Sequence, residues 1–531
     1  MPDTDVTISL GALRSDGQQH SVTYIDADGT AQTAQAVALD GTETSLAAGW
    51  YFVGLSTVAF DHTLNLSGNV TLILADGCTM NVGKSESRIS GIGISTTSGS
   101  NALTIYGQSL GSGHLYMYST SNAVADYGSI VITGNLTLNS GNVTIRHYGD
   151  YGFGIHASNN LTVNGGTLDV TSDEKTALNT SNAITINGGT VTANAYSNGL
   201  QCTGGDITIN GGIVNATGRN FGIFAAYGTI TIGWTNPTDR ITASSYSSTV
   251  TVADGQALTD GSGHFYSGTL GSDERTAIGG KTLRPCLALT DTESNIDAIT
   301  SHNDQTIAVA LSGRTLYKDG KWNTICLPFD LELSGSALDG ATAHTVTAAN
   351  ISGTTLNLTF GDAVTTLVAG TPYIIKWAND TENPTIVSPV FSGVTISADK
   401  HDYDTAEESV TTDERVRFVG TYDKKVITDN EANSILLFDA NNKLRYAGAG
   451  AGLGACRAYF KIGADAAAQA RRLTSFNINF GDDDNVTGII SVTSEARSNA
   501  DGWYSLDGRK LAGEPTVSGI YINNGKKVVI K

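Results

Sequence analysis

The sequence predicts an all-β chain, a right-handed parallel β-helix followed by antiparallel β-sandwich modules. Three observations carry that expectation. A strand-and-corner motif recurs at intervals of 25, 23 and 23 residues between Asn139, Asn164, Asn187 and Asn210. Glycine fills 62 of 531 positions against 8 prolines, which suits repeated tight corners far better than helices. Thr, Ser, Asn, Val and Ile are abundant while helical apolar stripes are scarce.

Residues 1–59 precede the regular motif and are expected to form an N-terminal β cap, since stacked repeats need a closed end. The opening Met1-Pro2-Asp3-Thr4-Asp5 is polar and shows no signal-peptide pattern, so an exported protein would be present here in mature form. Residues 60–280 are expected to be the β-helix. Its clearest copies are Asn135–Ile145, Asn160–Val170, Ala183–Ala193 and Asp206–Ala216, and Thr229–Ile232 begins a fifth. A second motif keeps step at Gly154-Ile155, Ala177-Leu178, Gly199-Leu200 and Gly222-Ile223. Some 23 residues cannot bury an apolar face alone, so the copies must stack. Alternation points Leu161, Val163, Ile184, Ile186, Ile207 and Ile209 inward on one wall. Leu168, Val170, Val191 and Ala193 line another wall, and Ile155, Ala157, Leu200 and Cys202 the remaining one. The Asn-Gly-Gly corners call for left-handed backbone.

Past about Ala253 the periodicity decays. Short strands with turn signals between them predict a β-sandwich over residues 281–480. The run Gly481-Asp-Asp-Asp-Asn485 reads as a solvated linker, and residues 487–531 as a C-terminal β module.

Composition narrows the partners. The formal net charge is −20, with no Lys/Arg cluster to offset it, which argues against nucleic acid and anionic membranes. No apolar run is long enough to span a bilayer. Five scattered cysteines (Cys78, Cys202, Cys286, Cys326, Cys456) lack metal-ligand spacing and read as small core residues.

The repeated "LTINGG(T)V" corner and following "GI" strand resemble the carbohydrate-binding, pectate-lyase-like β-helix family of bacterial secreted proteins, over roughly residues 60–250. That resemblance implies a secreted or outer-surface location and a polysaccharide or glycan partner, with host surfaces in view. It admits calcium as the one cofactor, held by Asp before the Gly-Ile. Here Phe153, Thr176, Asn198 and Phe221 stand at that column, a departure from the calcium pattern that leaves any metal site unassigned. The stretch Leu311–Phe480 is similar to a β-sandwich module of Bacteroidetes surface proteins. Trp503–Lys510 and Gly519–Lys531 resemble the C-terminal sorting modules of type IX secretion.

Chemistry and binding make different demands. A lyase needs a basic residue beside calcium-holding carboxylates, and a glycosidase needs two facing carboxyls. Between Ser129 and Ile230 the only basic residues are Arg146, Lys175 and Arg219, while Asp173 and Glu174 are merely adjacent. His147 and His156 have no Ser, Cys or carboxylate partner that the repeat register predicts. The expectation is therefore a non-catalytic carbohydrate-binding protein. A surface adhesin or structural stalk is the alternative, and a lyase or glycosidase is the weakest reading. Binding asks only for a rigid face with aromatics and planar hydrogen-bonders. One outward column supplies His156, Asn179, Gln201 and Phe224, and the adjoining turn supplies Tyr151 and Tyr196. A threonine ladder, Thr137, Thr162, Thr185, Thr208 and Thr231, is explained by β-propensity alone.

Overall fold

The computed structural model describes residues 17–96, 99–120, 128–398, 416–432, 434–439, 441–462, 473–480 and, further on, 486–488, 503–505, 515–516, 519–523 and 526–530. The chain is all-β and divides into two compact units. The first is Met1–Ala288 with Thr306–Ala310 and Val390–Gly393; the second is Leu289–Gln305, Leu311–Pro389 and Val394–Lys531.

In the first unit each turn of chain gives one strand to each of three walls. Phe153–Ala157, Leu161–Val163 and Thr167–Ser172 make one coil; Leu178–Thr180, Ile184–Ile186 and Thr190–Ala195 make the next. Among the described residues the walls belong to sheets of eight, eleven and fourteen strands, and the coil strands pair parallel from coil to coil, an arrangement consistent with a β-helix. Stacked residues of like kind explain the stability: Leu161, Ile184, Ile207 and Ile230 share one inward column. All four are fully buried, each contributing about 1.5–3 kcal/mol of apolar burial. Val191, Leu200, Cys202 and Ile209 are equally sealed.

Two glycine positions set the coil geometry for different reasons. Gly189, the second glycine of its Asn-Gly-Gly corner, has φ +76°, a left-handed conformation costly for other residues. Gly199 has ordinary φ, but an added Cβ would lie 2.7 Å from the Gly222 carbonyl oxygen and 2.9 Å from that of Ala193. Gly154 and Gly222 are similarly confined, with carbonyl oxygens 2.7 and 2.6 Å from an added Cβ, so close approach favours glycine at these three positions, while the equivalent Ala177 accommodates a methyl group.

Parallel stacking begins earlier than residue 60. Val37 already pairs parallel with Tyr51, and Ser45 with Asn65. The antiparallel hairpin Gln19–Ile25 with Ala31–Ala38 continues this wall, covering its edge strand. Its Tyr24 packs against Trp50 and Tyr106, with ring centroids 5.1 and 4.5 Å away. At the far end Arg240–Ala243 pairs antiparallel with Thr282–Thr290, which ends the parallel repetition on that wall.

The second unit is built from several small sheets. One joins Val346–Ser352, Thr355–Phe360, Ser475–Asn479 and Val486–Gly488; another joins Val416–Thr421, Arg457–Ile462, Ile435–Phe438 and Leu444–Tyr446. They bury one apolar core that includes Leu356, Phe418, Phe460 and Phe476. Most pairings are antiparallel, but Thr355–Phe360 runs parallel to Ser475–Asn479, a departure from the purely antiparallel expectation. Trp503–Ser505, Gly519–Asn523 and Lys526–Ile530 form an antiparallel three-stranded sheet. The acidic run 481–485 and the Leu506–Arg509 turn lie outside the described residues.

All five cysteines are buried free thiols. Burial pushes Cys286 and Cys456 up to about 12, which keeps both protonated and unreactive.

Candidate functional site

The outer face of the eight-stranded wall is a column one residue wide. Strand pairing aligns His156 with Asn179, Asn179 with Gln201, and Gln201 with Phe224. At its two ends stand stacked aromatic pairs. Phe153 lies over His156 at 5.5 Å, and Phe221 over Phe224 at 5.4 Å. Three coil spacings of strand packing put these pairs about 14 Å apart.

Between the pairs the face is amide and hydroxyl. Gln201 Oε1 accepts from Thr176 Oγ1 at 2.9 Å and from Asn198 Nδ2 at 2.8 Å. These bonds fix the amide plane. Asn179 is less displayed than the alternation implies, at 3% exposure, because the side chains of neighbouring coils close over it. Its Nδ2 donates to His156 Nδ1 at 2.8 Å, which places the imidazole proton on Nε2. Its Oδ1 is buried without a partner. Asn179 therefore orients His156 and is not itself a contact surface.

The adjoining turn carries Tyr151 and Tyr196, 40% and 47% exposed. Arg219 donates from Nη1 to the Tyr196 hydroxyl, and its guanidinium sits 5.1 Å from that ring's centroid. Lys175 Nζ lies 5.3 Å from the Phe153 ring. Both cations are spent on aromatic faces and lend the strip rigidity.

Phe153 and Phe221 were legible only as the residues where an Asp would suit calcium. They stack on His156 and Phe224, three residues further along the same strands. Tyr227, 88% exposed just beyond the strip, also escaped notice because it falls outside the repeat columns.

The prediction that His147 lacks a serine partner is corrected. Ser119 Oγ is 3.0 Å and Ser129 Oγ 3.3 Å from His147 Nδ1, and His147 Nε2 donates to the Tyr151 carbonyl at 2.9 Å. The coil carrying Ser119 and Ser129 precedes the regular motif, so its register was unreadable. All three side chains are buried, so the cluster offers substrate no access. Arg146 is held by Asp169, with Nη2–Oδ2 at 2.7 Å. Among the described residues no group of three or more His, Cys, Asp or Glu side chains could hold a metal ion.

The class defined by this geometry is an all-β coil stack bearing a rigid aromatic-amide face. Residues 99–310 match the family model described as carbohydrate-binding domain-containing protein. The match contains the whole strip. No curated protein and no solved structure matches the chain. Among the described residues no helix is long and apolar enough to cross a membrane.

Proposed function

We propose that the first unit is a parallel β-helix that binds a neutral glycan, without catalysis or cofactor, on a secreted or surface-displayed protein. The observation that carries this is the pair of aromatic stacks bracketing the Gln201–Asn198–Thr176 network on one rigid face, inside the span matched by the carbohydrate-binding model. Sugar rings stack on the aromatics while the fixed amides and His156 meet hydroxyls. The second unit, read as a β-sandwich module, and the C-terminal hairpin, read as a sorting module, then serve display and export of the binding face.

The test is a glycan array followed by calorimetry on the full chain with the best neutral ligand. Tyr196→Ala is expected to weaken binding by about 1 kcal/mol or more, roughly fivefold. The triple variant Tyr151→Ala, Tyr196→Ala, Phe224→Ala should abolish it. Undiminished binding by that variant moves the site, for example to the other outer face where His114 and Tyr116 stack at 3.8 Å. Cell adhesion with no glycan binding would favour the adhesin reading, and sugar release by the pure protein would overturn the non-catalytic one.

A further inference from the structure

The second unit contains a cleft of about 790 Å³ that the glycan reading does not use. Its wall includes Arg314, a guanidinium only 2% exposed. Arg314 Nη2 donates to the carbonyl of Thr324, another lining residue, at 2.7 Å. Its Nε and Nη1 have no partner. An arginine stays charged in any protein setting, so this is a buried cation with unused donors, and such a group calls for an anion.

The charges around it are already matched. Arg457, also lining the cleft, gives Nη2 to both oxygens of Asp291 at 2.8 and 2.7 Å. Asp319 pairs with Lys321 at 3.4 Å, and Asp439 with Arg445. Arg445 lies outside the cleft lining, so once Asp439 is assigned to it Arg314 is the lining cation left without a carboxylate partner among the described residues. That balance favours a ligand with one negative charge, and a multiply charged phosphate would be over-matched on a chain of net charge −20.

A bare carboxylate fills little of such a volume, which lies in the range of small-molecule sites. The remaining wall mixes apolar Leu437 and Leu453 with polar Thr315 and the half-exposed ring of Tyr317. This suits a hydroxylated ring body better than an aliphatic chain.

We propose that this cleft binds a sugar acid, a uronate, with Arg314 taking its carboxylate and Tyr317 packing on its ring. The site is independent of the neutral-glycan strip.

Calorimetry on the full chain with D-glucuronate and D-galacturonate tests it, with glucose, galactose, acetate and inorganic phosphate as separate arms. The expected result is one saturable site for a uronate, with each control at least about tenfold weaker. Arg314→Lys and Tyr317→Ala should each lower uronate affinity by about tenfold, while the Tyr151/Tyr196/Phe224 triple variant leaves it unchanged. Neutral sugars binding as well as uronates would overturn the proposal. Acetate or phosphate matching the uronate would overturn the sugar assignment. If Arg314→Lys does not fold, the exposed Tyr317→Ala variant and the arginine Nε–H resonances of the unaltered chain decide the matter. Resonances that do not move on uronate addition would sink it.

Discussion

The Ser119–Ser129–His147 cluster shows how far a single residue's chemistry depends on access. Ser119 and Ser129 hydroxyls are 2.7 Å apart and both reach His147 Nδ1, a spacing that elsewhere activates a nucleophile. Here the second imidazole nitrogen donates to a backbone carbonyl, no carboxylate orients the ring, and the cluster is sealed inside the coils. Its consequence is for stability. Burial holds the His147 imidazole below its usual pKa, against smaller opposing effects of the Tyr151 carbonyl and Asp173. The unfolded chain therefore binds a proton near pH 6.5 that the folded chain refuses. Stability is full above about pH 6.5 and falls as pH drops toward the lowered folded value, by at most about 1.4 kcal/mol per pH unit. His114, also depressed by burial, adds in the same sense, whereas the raised pKa of His62 acts in the opposite one. Urea titrations at about pH 5, 6 and 7 should show His147→Gln losing less stability on acidification than the parent. Equal slopes for the two proteins would show that His147 is not a proton-linked group.

At the scale of elements, the coils are joined by side-chain ladders as well as by backbone pairing. Asn164 Nδ2 donates to Asn139 Oδ1 at 2.6 Å, Asn187 to Asn164 and Asn210 to Asn187 at 2.7 Å each. A corner asparagine thus does two jobs: it suits the turn and bonds the coil before it. Asn187→Ala removes two of these bonds and should cost about 1–2 kcal/mol, seen as a lower urea midpoint. Thr185→Val, in the neighbouring outward column, should change it by less than about 0.5 kcal/mol. A neutral Asn187→Ala would mean that the ladder is only decoration on the backbone. The inward columns from Leu136 to Ile232 were readable because alternation and a near-constant period act together. Earlier coils were not, since Leu103 and Leu136 pair across 33 residues and the longer excursion breaks the period. The second unit was legible as short strands but not in its pairing, because the parallel contact of Thr355–Phe360 with Ser475–Asn479 joins segments more than a hundred residues apart.

Across the whole molecule, charge divides the two candidate sites. The His156–Phe224 column could be read from spacing alone. Its aromatic brackets and the sinking of Asn179 required knowledge of how neighbouring side chains pack. Arg314 was not legible as a site residue at all, since Ser-Gly-Arg-Thr looks like an ordinary turn until burial leaves two guanidinium nitrogens without partners. The cations nearest the strip, Arg219 and Lys175, lie over the Tyr196 and Phe153 rings. With the chain at −20, a polyanion approaching that face is repelled, and low salt strengthens the repulsion. A neutral ligand feels neither effect. Raising salt from about 0.05 to 0.5 M should therefore change neutral-glycan affinity less than about twofold, while any residual polyanion binding at the strip strengthens. Uronate binding at Arg314 should weaken only modestly over the same range, since a buried pair is poorly screened. A steep loss of glycan binding with salt would mean that a charged contact, and not ring stacking, holds the ligand on the coils.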